Sequence, residues 1–292
     1  MKNKIAVLLT CFNRKELTIA CLDKLFSQSK SDDFNITVFL VDDGSSDGTS
    51  EAVKSKCPQT IIIAGSGDLY WNGGMQLAWE TALKHQTDFF LWLNDDVELK
   101  NNAIDILLST YKAVKNDTVE PVIVGNLSDA KTGKLTYGGY SVDKGLMHFR
   151  STKLPISNSP TACDTINGNV VLIPKATVEG IGTLSKKFTH AMGDFEYGLR
   201  CTKAGIPIFS TASYVGTCSN NSIKNTWADP DTPLSERLQK LHRPTGLPPA
   251  EYFNYIKENT NSFTATIMII KLYMKVMFPS LWSKISKLFK GG

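Results

Sequence analysis

Within the first hundred residues, four apolar runs of four to six residues alternate with stretches that carry apolar side chains at helical spacing. The runs are KIAVLLT, ITVFLV, TIIIAG and DFFLWL. Each is apolar at nearly every position, which is the pattern of a strand covered on both faces, and hence of a parallel sheet between helices. The segments between them place Leu17, Cys21, Leu25 and Phe26 on one helical face, and Met75, Ala78, Trp79, Ala82 and Leu83 on another. An α/β fold follows, with a Rossmann-like, mostly parallel sheet flanked by helices. In such sheets ligands bind beyond the carboxyl ends of the strands. Those ends read TCFNR, VDDGSSD, AGSGDLYWNGG and NDD, so polar, glycine-rich and acidic residues converge where a ligand is expected.

Beyond residue 120 the pattern continues as strand, turn and strand in PVIVGNLSDAKTGKLTYGGY, then a buried strand entering a helix in INGNVVLIPKATV. GDFEYGLRCTKAGIPIF reads as a short helix, with Phe195, Leu199 and Ala204 inward, stopped by Gly205 and Pro207. After residue 220 the chain turns polar and helical. The expected organisation is a catalytic domain over 1–220 and a helical extension over 221–292. The net charge of +4 is too small to imply nucleic acid. Six scattered cysteines lack zinc-ligand spacing and read as reduced, mostly buried thiols of a cytoplasmic protein. No secretory signal is expected in the basic but briefly apolar start.

Four segments in this order, TCFNR, VDDGSSDGT, GDLYWNGGM with NDD, and NGNVVLIPK with GDFEYGLRCTKAG, resemble the family 2 glycosyltransferases of GT-A fold, over residues 4 to about 220. The resemblance implies an inverting transfer of a sugar from a nucleoside-diphosphate donor to a hydroxyl of a glycan acceptor. It sets Thr10, Asn13 and Arg14 beside the nucleotide. It gives Asp43, and less directly Asp42, the pyrimidine base, and lays the loop of Asp68, Trp71, Gly73 and Gly74 along the donor. Asp96 becomes the ligand of a Mg²⁺ or Mn²⁺ ion, with Asp95 shared between metal and ribose and Asn94 standing where the family's first acid would be. Asp194 becomes the catalytic base, with Glu196 as the alternative, and Arg200 a contact to the diphosphate.

Each role has a structural alternative. Asp42, Asp43 and Asp47 can cap a turn, Asn13 can cap the first helix, and Trp71 can be core. Asp95 can cap the following helix, and Arg200 can pair with an acid of its own helix. The family's usual histidine ligand is missing from YVGTCSNNS, where Cys218 stands, and His190 and His242 are poor substitutes by position.

The final stretch, SFTATIMIIKLYMKVMFPSLWSKISKLFK, interleaves lysines with aromatic and aliphatic residues and contains no acid. Its uncharged runs are shorter than the about 20 residues needed to span a bilayer, so the expectation is peripheral attachment to the inner face of the cell membrane. That suits a lipid-linked acceptor in surface polysaccharide biosynthesis. UDP or dTDP is the expected nucleotide, and GDLYWNGGM is similar to rhamnosyltransferase segments, which suggests dTDP-rhamnose. Competing readings are a sugar-phosphate nucleotidyltransferase, which needs a basic glycine-rich loop that LLTCFNRKE lacks, and a non-catalytic nucleotide-sugar-binding module.

Overall fold

A computed structural model of the chain describes residues 2–28, 33–116 and 118–280. The last lysines of the basic stretch, Lys284, Lys287 and Lys290, lie outside the described residues. In chain order the strands and helices are β1 (Asn3–Cys11), α1 (Lys15–Phe26), β2 (Phe34–Asp42), α2 (Thr49–Lys56), β3 (Ile61–Ala64), α3 (Tyr70–Ala82), β4 (Phe89–Leu93), β5 (Glu98–Leu99) and α4 (Ala103–Val114). Then come β6 (Val122–Ser128), β7 (Leu135–Tyr137), β8 (Gly139–Gly145), β9 (His148–Lys153), β10 (Thr161–Cys163), β11 (Thr165–Ile166), β12 (Val170–Pro174), α5 (Lys175–Ile181), α6 (Gly193–Lys203) and β13 (Ile208–Thr217). Three helices follow: α7 (Leu234–His242), α8 (Pro249–Asn259) and α9 (Ser262–Met277). Two compact units result: 1–141, 152–189 and 193–220 form one, and 142–151, 190–192 and 221–292 the other.

The first unit is built on one sheet of order β10-β13-β6-β12-β4-β1-β2-β3. The β1–β2, β1–β4, β2–β3 and β6–β13 pairs are parallel, and β12 runs antiparallel between β4 and β6. The full burial of β4, and of Ile5 through Leu9 in β1, explains their unbroken apolar sequence. One face of the sheet packs on Ile19, Leu22 and Leu25 of α1 and Leu107 of α4. The other packs on Met75 and Trp79 of α3 and Tyr197 of α6, where the Trp79, Trp92 and Tyr197 rings lie 5.2 to 5.5 Å apart. Three expected inward residues point out: Leu17, Leu83 and Ala204 are exposed. Ile19 and Leu22 bury the α1 face instead, and α6 turns Tyr197 and Cys201 inward because its buried stripe follows the aromatic cluster rather than Ala204.

Strand direction decides what reaches the carboxyl edge of this sheet. β1, β2 and β4 end there. Because β12 opposes β4, with Val170 paired to Leu93, it is the start of β12 that arrives at that edge. The 167–169 turn therefore stands next to the end of β4.

In the second unit α7, α8 and α9 surround Leu241, Leu272 and Val276, with Trp227, Tyr252 and Tyr273 packed against them. The tip of the β8–β9 hairpin belongs to this unit. Among the described residues, no helix is long and apolar enough to cross a membrane.

Candidate active site

Three loops at the carboxyl edge hold one another through side chains. Asn13, left-handed at φ 52°, accepts from the Ser46 amide at 2.8 Å through Oδ1, while its own amide donates to Ser45 Oγ at 2.9 Å. It thus ties the β1 loop to the β2 loop, and the residue that opens α1, Arg14, makes no side-chain cap of its own. Asp47 accepts from the amides of Lys15 and Thr49, at 3.0 and 3.1 Å, and so serves the first turns of two helices. Asp42 accepts from the Ser45 amide at 3.0 Å and from Ser50 Oγ. Asp43 reaches the third loop, where Oδ1 and Oδ2 accept from the Gly67 and Tyr70 amides at 2.8 and 3.0 Å. Each Asp43 oxygen keeps a second lone pair, so the carboxylate can order the donor loop and still meet a ligand. Asp68 lies at the surface of that loop, where Ser66 Oγ donates to it.

The glycine pair of this loop has unequal tasks. A Cβ on Gly74 would lie 2.1 Å from Thr10 Oγ1 and 2.7 Å from Thr10 Cβ. Glycine at 74 therefore lets α3 settle against β1, and the Thr10 side chain faces that helix. A Cβ on Gly73 would meet only Leu69, at 3.3 Å.

At the end of β4 the neighbouring acids share one cation. Arg14 contacts Asp95 Oδ1 at 2.9 Å through Nη1 and Asp96 Oδ2 at 2.7 Å through Nη2. Asp95 is buried and lies 3.4 Å from Thr18 Oγ1. Burial pushes its carboxyl up to about 6, against the opposing pull of Arg14. Asp96 is more open, and Cys218 Sγ approaches its Oδ1 at 3.6 Å from the end of β13. Burial and Asp96 together push the Cys218 thiol up to about 12, so the residue in the place of the family's histidine is a neutral thiol. A cleft of about 390 Å³ opens beside Asp96, lined by Lys24, Glu98, Thr217, Cys218 and Ser219.

Asn94 is engaged on both sides. Its Oδ1 accepts from Trp71 Nε1 at 2.8 Å, and its Nδ2 donates to Asn169 Oδ1. Trp71 in turn packs edge-on against Trp92, with ring centroids 5.8 Å apart. The 167–169 turn carries the connection onward, because the Gly168 amide donates to Asp194 Oδ2 at 2.8 Å. The Phe195 amide donates to Asp194 Oδ1 at 2.8 Å. Asn167 Nδ2 adds a longer contact to Oδ2 at 3.4 Å, and Asp194, partly buried in the first turn of α6, has its carboxyl pushed up to about 6 by burial despite these amide donors. Gly193 before it is forced by packing: a Cβ there would lie 2.0 Å from Asn72 Oδ1. That contact accounts for the missing acid of the family's usual acidic pair.

Glu196 and Arg200 pair with each other. Nε and Nη2 of Arg200 donate to the two Glu196 oxygens at 3.0 Å each, and its remaining donors reach the Ile181 and Thr183 carbonyls at 2.6 and 2.8 Å. The intrahelical alternative is the observed geometry for Arg200. Glu196 is thereby engaged by a guanidinium, whereas among the described residues the partners of Asp194 are amides. Sequence reasoning left three contributors without a role: Thr18 beside Asp95, the Asn167–Gly168–Asn169 turn, and Asn72 against Gly193. The turn and Asn72 had a signal, as parts of the segments NGNVVLIPK and GDLYWNGGM; Thr18 had none.

The fit of a divalent ion rests on the donor set. Among the described residues no three His, Cys, Asp or Glu side chains are grouped to hold one. Asp95 and Asp96 do supply hard oxygen donors, and one or two carboxylates plus substrate phosphates is how Mg²⁺ is commonly held. Asp95 and Asp96 would be the residues to hold such an ion, and both are engaged by Arg14 in this structure.

Teichoic acid poly(glycerol phosphate) polymerase of Staphylococcus epidermidis is 32% identical over 114 residues, covering 37% of this chain and only 15% of that protein. The mannosyltransferase PcManGT from Pyrobaculum calidifontis, solved in complex with GDP-Man and Mn²⁺, superposes with a TM-score of 0.55 at 14% identity, over 100% of this chain and 76% of the other. That likeness concerns the fold, which is GT-A. Residues 6–166, more than half of the 292, match the family model Glycosyl transferase family 2. By that match, the chain belongs to glycosyl transferase family 2.

Proposed function

We propose that this glycosyltransferase moves a sugar from a nucleoside diphosphate to a hydroxyl of a glycan acceptor with inversion, using Asp194 as the base. The observation that carries this reading is the connection from Asp194 through Gly168 and Asn169 to Asn94, directly before the Asp95–Asp96 pair. It joins a carboxylate held by amide donors to the acids at the strand end within one framework. Inversion needs the acceptor hydroxyl deprotonated as it attacks the anomeric carbon opposite the leaving diphosphate, and one carboxylate on the acceptor side suffices. A carboxyl near 6 is ionised at neutral pH yet basic enough to take that proton.

Asp43 and the Gly67–Tyr70 turn it orders would receive the nucleotide base. Asp43's spare acceptor capacity favours the N3–H of uracil or thymine, hence UDP or dTDP. Asp96 and Asp95 would hold Mg²⁺ or Mn²⁺, which when bound offsets the charge of the departing diphosphate. Arg14, which contacts both acids, would be the cation available to the diphosphate. The local similarity to a teichoic acid polymerase supports a cell-envelope polymer, and a lipid-linked chain in surface polysaccharide synthesis, as the acceptor. Rhamnose is the sugar we propose for the donor.

The test is thermal shift and calorimetry with UDP, dTDP and GDP, each with and without Mn²⁺. UDP or dTDP should stabilise the chain, and Mn²⁺ should strengthen that effect. Failure of all three nucleotides would refute the reading, and stabilisation by GDP alone would refute the base assignment. With dTDP-rhamnose and UDP-sugars as donors, Asp194→Asn should keep nucleotide affinity and lose transfer.

A further inference from the structure

We propose that the second unit presents a composite lipid-docking face, made by the outer stripe of α9 and the Leu146–Met147 tip of the β8–β9 hairpin, that binds anionic membranes. The idea rests on the reading above in one respect, that the acceptor is lipid-linked, and names the surface that would bring the enzyme to it.

α9 is apolar around most of its circumference. One side, Ala265, Leu272 and Val276, is buried. The other carries Phe263, Ile270, Met274 and Met277, at steps of seven, four and three residues, and all four are exposed, as is Phe278 just beyond the helix. A helix with solvent on that side would ordinarily show polar residues there. The hairpin tip adds Leu146 and Met147, at 68% and 56% exposure the most open large apolar pair of neighbours among the described residues. The tip is fastened to the helix: Thr264 Oγ1 donates to the Leu146 carbonyl at 3.0 Å, and Lys271 Nζ to the Met147 carbonyl at 2.7 Å. Segments more than a hundred residues apart therefore expose apolar side chains from one connected surface. Single exposed apolar residues need no explanation, whereas a contiguous group marks an interaction site.

Charge selects the partner. No acid follows Glu258 in the sequence, while Lys271 stands in the face and Lys284, Lys287 and Lys290 follow it. Lys275 is otherwise occupied, over the Trp227 ring at 4.8 Å. Two copies meeting through this face would bring like charges together, since a two-fold interface sets each patch against itself. An anionic lipid surface supplies the opposite charge and accepts the phenylalanine, isoleucine and methionine side chains at the headgroup boundary. At 16 residues α9 is too short to cross the bilayer, so it would lie in the interface.

Flotation of the full chain with phosphatidylcholine vesicles, with and without phosphatidylglycerol, tests this without donor or acceptor, so it reads membrane binding separately from sugar transfer. The wild type should float with the anionic vesicles and be released by salt. Leu146→Ser/Met147→Ser and Ile270→Ser/Met274→Ser should each lower the partition about tenfold or more. Ile223→Ser, an exposed apolar residue of the same unit outside the face, should leave it unchanged. Circular dichroism confirms that each variant folds. Failure of the wild type to float, or unchanged partition of a folded tip variant, would overturn the proposal. So would a protein dimer that the same substitutions dissociate, in the absence of vesicle binding.

Discussion

Replacing Asp194 by asparagine should make the protein more stable and inactive at once, and the size of the gain can be worked out. The carboxyl titrates near 6 in the folded chain against an ordinary 3.8, because burial disfavours its charged form. A raised carboxyl binds its proton in the folded state between those values, so its contribution to stability falls as pH rises through that window. At about 1.4 kcal/mol per tenfold, ionisation above the window costs about 3 kcal/mol. Asparagine removes that cost but offers one acceptor where the carboxylate had two, so either the Gly168 or the Phe195 amide loses its partner, at about 1 to 1.5 kcal/mol. The net expectation is a gain of about 1.5 to 2 kcal/mol at pH 8, giving way to a loss of about 1 to 1.5 kcal/mol well below pH 4, where only the lost amide partner counts. Urea unfolding at the two pH values measures it. The wild-type transfer rate should fall about tenfold between pH 7 and pH 5 as the base is protonated. A variant less stable at pH 8, a pH-independent difference, or retained transfer would each refute the argument.

Other substitutions probe neighbouring contacts. Arg14→Met leaves two adjacent carboxylates without their cation and should cost about 2 kcal/mol at pH 8, with Mn²⁺ restoring part of it in the same unfolding assay. Glu196→Gln breaks only the pair with Arg200, so nucleotide affinity and transfer should stay within about threefold of wild type while stability drops by about 1 kcal/mol; lost transfer would move the base to Glu196. Gly74→Ala drives a methyl into Thr10 and should cost about 1 to 3 kcal/mol in unfolding free energy, with weakened nucleotide binding because β1 and α3 both border the donor loops.

The strands were legible because parallel pairing buries both faces, so β1, β2 and β4 could be apolar only as unbroken runs. Their chemical ends were legible for the same reason: Asp42, Asp43, Asp95 and Asp96 interrupt those runs abruptly. What could not be read is anything that depends on a distant partner. Arg14 meets Asp96, 82 residues away, and Asp95 beside it, a pairing no local spacing encodes. Asn94 looks in sequence like a substituted metal ligand, and its partners Trp71 and Asn169 become visible only once β12 is known to oppose β4. Gly193 looked like a lost acid until Asn72 was found filling the space. Helix faces failed at their margins, Leu17, Leu83 and Ala204, because the apolar pattern gives the direction of a stripe and not its width.

Adjacent carboxylates at a buried strand end would, alone, oppose the chain's own collapse. With Arg14 clasping both, one of their two charges is offset by a residue of the first βα loop, which eases the repulsion without an ion. Were the proposed Mg²⁺ or Mn²⁺ to bind, it would take the place that Arg14 holds on Asp95 and Asp96, one cation for another. A chelator should silence such an enzyme while leaving its fold standing, ready to be recharged.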